Sequence, residues 1–454
     1  MILQLPLELV ELVMLNLSYD DINNIGVCCK LLNEVVNRQT FWEKVAQKDF
    51  GVNLTSTKKL CVSSSEDVVE RNRSAKIFYK EILLPYGNAL KEIWQQANFE
   101  YYGGMYKLLY HDYMLYLVRF DPPPYPSVNK LLQPQIICQI YVSPNSNKTV
   151  ANYLEDVPIN PTEDQSKQNF ANAIYSLKMV KSYTVSGEHR LSMVLSSDSR
   201  PQIMDTDHRW QLVPDDESKE EELSRRLGIQ RDMARLRFRL QMQYILEGHQ
   251  LFQQMPIDHF NDPKLCPIKP GIFKATYGSH GIELLRVDYS KDAKKLVGWK
   301  ITGDPNVPFG ETSFIGYLDK PIGSHNLTDD EGLDYFVKLR HSFDKTMTEN
   351  SDGKRALMED PSPQPFELPE SFCLKDSLLL NDLKTYKWRF ASQVQIAKAM
   401  FQEPKYVDAH IIIFSENTLA VINIDLKSLK ICHRVVESLD GVVNYEEFLE
   451  SQPL

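Results

Sequence analysis

Two short turns hold the residues of this chain best suited to chemistry. The first is Tyr277-Gly278-Ser279-His280-Gly281-Ile282-Glu283; the second is Lys300-Ile301-Thr302-Gly303-Asp304-Pro305-Asn306. Glycines flank Ser279-His280, so the backbone there can turn tightly and approach a ligand. Asp304 precedes Pro305, which biases it toward an extended conformation at the head of the second turn. A serine beside a histidine suggests a nucleophile and its base. Adjacent side chains rarely orient for mutual proton transfer, however, and no third residue completes a triad. The sequence also has no Gly-rich phosphate loop, His-Glu-x-x-His or Gly-x-Ser-x-Gly motif. Binding fits these turns better than catalysis. Asp304 could accept hydrogen bonds from a donor group on a bound ligand. It could equally cap its own turn, as aspartate commonly does. Tyr277, Ser279 and Thr302 offer further polar contacts. Lys300 could hold a substrate carbonyl or pair with Asp304, and His280 fits a turn-stabilising bond better than a substrate contact.

Strands must position these turns. Short runs rich in β-branched and aromatic residues are predicted at Met105–Tyr110, Met114–Phe120, Ile136–Val142, Ala173–Met179 and Leu191–Leu195. More follow at Gly271–Tyr277, Ile282–Tyr289, Lys295–Ile301 and Thr312–Tyr317, then at His410–Ser415, Leu419–Asp425 and Lys430–Val436. Glu217–Gln250 carries a helical pattern and is predicted as one long inserted helix ending near Gly248. Many antiparallel strands with one helix suggest a β-barrel over 103–325. A polar segment, 326–370, is followed by strands in 371–454 that complete the barrel. The whole is an α+β chain.

Upstream, residues 1–50 read as three short amphipathic helices. Leu5, Leu9, Leu12, Val13 and Leu17 fall near helical spacing after Pro6, Asp20-Asp21 open a second helix, and Val27-Cys28 follow it. So small a unit cannot bury every apolar face, and the surplus suits docking onto another helical protein. Residues 51–102 are predicted as a helical linker, with helices over Asp67–Leu84, stopping at Pro85, and over Ala89–Phe99.

Composition narrows the possibilities. The 454 residues are 43% hydrophobic and 25% charged, an ordinary globular balance. A net charge of −10 argues against a general nucleic-acid surface. Seven scattered cysteines do not form a disulfide framework and fit a reducing compartment. No stretch reaches the roughly 18 to 20 apolar residues a membrane span needs, and Glu8 and Glu11 interrupt the N-terminal apolar run. With no secretory signal, Asn147-Lys148-Thr149 and Asn326-Leu327-Thr328 are chance matches to the glycosylation triplet. The expectation is a protein of the cytoplasm or nucleus that binds neither membrane nor nucleic acid.

The N-terminal order of Leu5-Pro6, the acidic turn, Val27-Cys28 and Phe41-Trp42 resembles an F-box. Pro270-Gly271-Ile272-Phe273-Lys274 and the two turns, in this order, resemble the F-box only protein 31 family, most specifically from Lys269 to about Tyr317. The resemblance implies a non-catalytic substrate receptor of a Skp–cullin–F-box ubiquitin ligase. Its partners would be a Skp1-type adaptor, a cullin scaffold and protein substrates held by their C-terminal tails, including D-type cyclins and chains ending in an amide. Leu5, Pro6, Leu9, Val13, Val27 and Cys28 are the adaptor-docking candidates. Tyr277, Ser279, His280, Lys300, Thr302 and Asp304 are the substrate-binding candidates. The family carries a Cys/His-rich zinc stretch before the long helix. Here Asp205-Thr206-Asp207-His208-Arg209 stands there, with no cysteine between Cys138 and Cys266, so no zinc of that type is expected. The alternative from another class is a barrel enzyme or small-ligand carrier with a helical appendage.

Overall fold

The computed structural model describes residues 5–54, 74–96, 101–111, 113–123, 127–142, 149–153, 175–183, 189–196, 249–255, 267–322, 363–366 and 383–439. Four helices open it: α1 Leu7–Met14, α2 Tyr19–Gly26, α3 Lys30–Val36 and α4 Gln39–Phe50. Ser18 caps α2 by accepting from the Asp21 amide at 3.2 Å, and Asp20 and Asp21 complement the positive helix end. Gly51, at φ 71°, ends α4 in the left-handed conformation that favours glycine. Phe41-Trp42, read from the sequence as the close of a three-helix unit, lie inside this fourth helix. Trp42 is fully buried and donates its indole N–H to the Val36 carbonyl at 2.6 Å.

The linker departs from its prediction. Helical backbone runs through Ala75–Phe78, widens to π geometry over Tyr79–Leu83, continues at Leu84–Tyr86 and tightens to a 3₁₀ turn over Gly87–Lys91. Pro85 does not stop the helix. The π turn precedes it, where the ladder has already been rearranged. The helix predicted over Ala89–Phe99 gives way to strand β1, Ile93–Gln96. Its apolar residues meet the 3.6 spacing, but sheet closure claims them.

Strands β1, β2 Met105–His111, β3 Met114–Asp121, β4 Gln133–Val142, β5 Thr149–Tyr153, β6 Tyr175–Tyr183, β7 His189–Ser196 and β8 His249–Gln254 close a barrel in sequence order. β8 pairs with both β1 and β7. His249 and Gln250 are therefore strand, correcting the predicted helix end; the rest of that helix, 217–248, lies outside the described residues, as does 205–209.

A second closed barrel follows. It comprises β9 Gly271–Thr276, β10 Ile282–Tyr289, β11 Lys295–Lys300, β12 Thr312–Pro321, β15 Trp388–Lys398, β16 Gln402–Ser415, β17 Thr418–Asn423 and β18 Ser428–Arg434. A small hairpin of β13 Gln364–Pro365 and β14 Thr385–Tyr386 sits beside it. The expected α+β order of helices followed by an antiparallel barrel is present. The strands form two barrels rather than one, divided between residues 255 and 271 within the region read as a single domain.

Packing fixes the parts to one another. Val10, Ile22 and Trp42 of the helical unit, Phe78 and Ile82 of the linker, and Leu115, Leu117 and Ile140 of the first barrel share one apolar core. Gln39 reaches from α4 to the Tyr113 hydroxyl at 2.8 Å and accepts from the Ala75 amide at 2.9 Å. The barrels meet over Met105, Val118, Phe120, Ile272, Leu284 and Ile301. Buried Lys274 bridges Glu437 at 3.3 Å and the Lys130 carbonyl at 2.6 Å.

Candidate functional site

The helical unit sorts its apolar residues cleanly. Val10, Met14, Ile22, Val35 and Trp42 point inward, while Leu5, Leu9, Leu12, Val13, Val27 and Leu31 stay exposed. Leu12 remains 57% and Val27 83% accessible, high values for large apolar side chains. Pro6 and Cys28 are exposed as well. All six docking candidates thus lie at the surface, and Leu12 and Leu31 extend the set. α1 places successive outward residues at i and i+3 or i+4, so Leu5, Leu9, Leu12 and Val13 form one stripe.

The second cluster lies at one end of the second barrel. Cys432 on β18 is fully buried in the barrel core, so Lys430, two residues earlier, shares its inward face. Glu283 on β10 is inward by the same alternation, in step with Leu285. Lys300 ends β11 and is 1% exposed; it reaches Glu283 at 2.8 Å and Asp304 at 2.5 Å. Tyr277 lies beneath two ammonium groups: Lys300 at 4.3 Å and Lys430 at 4.2 Å from its ring centre. Its hydroxyl hydrogen-bonds Ser313. The mouth therefore holds two carboxylates and two ammonium groups around one aromatic ring.

Asp304 is held from three directions. One oxygen binds Lys300, and the other accepts from the amides of Asn306 at 2.6 Å and Val307 at 3.0 Å. Burial would raise its carboxyl, but Lys300 and His280 outweigh that and hold it well below the usual carboxylate range. Asp304 is 2% exposed, so it is a turn cap and ion partner rather than an open acceptor for an incoming carboxamide. Lys300 likewise pairs with Asp304 rather than waiting for a substrate carbonyl. Thr302 accepts from the Leu284 amide at 2.8 Å and pins its turn to β10. His280 is exposed and closes the 3₁₀ turn Gly278–His280, donating its amide to the Tyr277 carbonyl at 3.1 Å. Ser279 belongs to that same turn.

Glu283 and Lys430 were not among the sequence candidates. Burial, then Lys300, brings the Lys430 ammonium down to about 8. Burial, then Glu283, pushes the Tyr277 phenol well above its usual value. The two-residue alternation of β18 was the available signal for Lys430, readable once Cys432 is known to face inward.

The turn of Asp304 also touches the first barrel. Gly303 donates to the Tyr102 carbonyl and Phe309 to the Tyr101 carbonyl, each at 2.9 Å, and Gly103 bridges to Thr302. A β-carbon on Gly303 would lie 2.2 Å from the Phe309 nitrogen and 2.4 Å from the Tyr101 oxygen. Only glycine allows this approach.

Comparison with known proteins agrees with this arrangement. Residues 2–44 match the F-box domain family, and residues 254–438 match the family described as cyclin D1 binding domain. The latter span begins at the end of the first barrel and covers the second. F-box only protein 31-B of Xenopus laevis is 22% identical over 479 residues, covering 96% of this chain and 83% of that protein. F-box only protein 31 of Rattus norvegicus is 24% identical over 341 residues, 74% of this chain and 59% of the relative. In F-box only protein 31 of Homo sapiens, identity rises to 52% over 44 residues, 10% of this chain and 8% of that protein. The chain thus carries an F-box and a domain of the cyclin D1 binding type, and along nearly its whole length it is similar to relatives named F-box only protein 31.

Proposed function

We propose that this chain is the substrate-recognition subunit of a Skp1–cullin–F-box ubiquitin ligase and performs no chemistry itself. The carrying observation is the exposed stripe of Leu5, Leu9, Leu12 and Val13, with Val27 exposed at the end of α2, on a unit that shares its buried core with the linker and the first barrel. An apolar face left open on a firmly seated helical unit suits docking to a helical Skp1-type adaptor. The cullin scaffold joins through that adaptor. The continuous core holds the substrate end at a set distance from it, as transfer of ubiquitin to a lysine requires.

The mouth of the second barrel is the proposed substrate end. Its polar groups converge inside an otherwise apolar barrel, the usual composition of a specific binding cleft. Its converging charged groups suit the polar C-terminal tail of a protein, with tails of D-type cyclins the first class to try. The complex is proposed to act in the cytoplasm or nucleus. The test is capture: the tagged chain, isolated with the ligase blocked, should bring down the adaptor together with proteins whose termini compete with synthetic tail peptides. Adaptor binding without terminus-dependent capture would leave the F-box role and remove the barrel role.

A further inference from the structure

We propose that the first barrel positions the substrate mouth of the second: its segment Tyr101–Gly103 seats the Asp304 turn, and Gly103 is the residue that permits the seat. The proposal rests on the tail-receptor reading. It gives a task to a barrel that lies almost wholly between the two matched spans, 2–44 and 254–438.

The Asp304 turn stands between two supports. On one side Gly303 donates to the Tyr102 carbonyl and Phe309 to the Tyr101 carbonyl, each at 2.9 Å, and Gly103 forms an antiparallel bridge with Thr302. On the other side lies the tip between β15 and β16. There the Asn306 side chain donates to the Ala397 carbonyl at 3.0 Å, and the Phe401 amide to the Pro305 carbonyl at 2.9 Å. Asp304 in turn binds Lys300 at 2.5 Å, and Lys300 reaches Glu283 at 2.8 Å. A displaced seat therefore displaces three of the four charged groups in the mouth. The first barrel supplies backbone atoms to this seat and no side chain to the mouth, so its part is positioning.

Gly103 is in the left-handed region, at φ 56°. A β-carbon there would lie 2.5 Å from the Ile301 carbonyl oxygen and 2.5 Å from the Phe309 β-carbon. Neither atom is the far end of a flexible side chain. Any other residue would push the segments apart by about 1 Å to regain ordinary contact. A shift of that size in a preorganised constellation costs about ten- to a hundredfold. The coupling is also reciprocal: whatever the seat adds to ligand affinity, the ligand adds to the stability of the seat.

The test uses the full chain in a reconstituted ligase, with a carrier protein ending in the C-terminal tail of a D-type cyclin. Gly103→Ala should raise KM for the carrier at least tenfold, with kcat and adaptor affinity unchanged. A merely structural defect removes active molecules and lowers kcat at unchanged KM; that result would overturn the proposal. The wild-type chain supplies a second measurement, which decides the matter if the variant fails to fold. Saturation with the free tail peptide should slow hydrogen exchange at the Gly303 and Phe309 amides at least tenfold. Bound peptide with unchanged exchange at both amides overturns the positioning role and leaves the tail-receptor reading standing. A wild-type chain that neither binds the peptide nor modifies the carrier overturns both.

Discussion

Replacing Gly303 by alanine should separate the two barrels' shared work from the packing within each. The new methyl carbon would stand 2.2 Å from the Phe309 nitrogen, 2.4 Å from the Pro308 carbonyl carbon and 2.4 Å from the Tyr101 oxygen. All three are backbone atoms, so no side-chain rotation relieves the clash. The turn must withdraw from residues 101–103, breaking the Gly303–Tyr102 and Phe309–Tyr101 hydrogen bonds. Two such bonds are worth about 1–3 kcal/mol together, and forced overpacking costs about 1–3 kcal/mol. The expected loss is about 2–6 kcal/mol. At about 2–4 °C per kcal/mol for domains of this size, the transition of the second barrel should move down by several degrees or more. Gly278→Ala is the matched control: φ is 56° but no atom lies within 4 Å, so only backbone strain of about 1 kcal/mol applies. Thermal unfolding of both variants decides the matter. A Gly303→Ala chain no less stable than Gly278→Ala would refute the claim that the Asp304 turn is seated on the first barrel.

Three further outcomes are expected. Leu9→Glu with Val27→Glu should cost adaptor affinity at least a hundredfold by titration calorimetry, since burying each exposed side chain contributes about 1.5–3 kcal/mol, while the melting temperature stays unchanged. Lys274→Met should destabilise by about 3 kcal/mol in denaturant titration, because it leaves the buried Glu437 carboxylate at the barrel joint with two backbone amides but without its ammonium; a loss under 1 kcal/mol would show that joint to be dispensable. His410 is buried against the Arg389 guanidinium at 3.0 Å, and burial followed by that charge holds its imidazole well below 6.5. The unfolded chain therefore binds a proton below about pH 6.5 that the folded chain refuses, so stability should be flat above that pH and fall by up to about 1.4 kcal/mol per unit beneath it. Thermal melts from pH 7.5 to 5 should show this slope in the wild type and a shallower one in His410→Gln.

The F-box unit was legible because its helices obey one period. Leu9 and Val13 face out while Val10 and Met14 face in, as a stripe at helical spacing requires. The glycine turns were legible too, since turn residues carry their own backbone preference. The second barrel closing apart from the first was not. Ile93-Trp94 sit at helical spacing with Leu90, and His249-Gln250 continue a helical pattern, yet both segments become the two strands whose pairing closes the first barrel. Strand pairing is long-range, and neither segment announces its partner. Asp304 drew notice as a free carboxylate because a sequence shows the acid but not the three donors around it. Lys430 was passed over for the converse reason: a lysine in a strand reads as solvent-facing until its neighbour Cys432 is seen inside.

Reconstituted ubiquitination tests the central claim most directly, because it needs both ends of the bridge at once. The chain, a Skp1-type adaptor, the cullin scaffold and the charged conjugating enzyme are mixed with a carrier protein ending in a retained tail peptide. The account predicts ubiquitin on the carrier with the wild-type chain. It predicts none with Leu9→Glu and Val27→Glu, although peptide binding persists, and none when the tail is removed, although adaptor binding persists. Equal modification with the docking face mutated, or with the tail deleted, would contradict it.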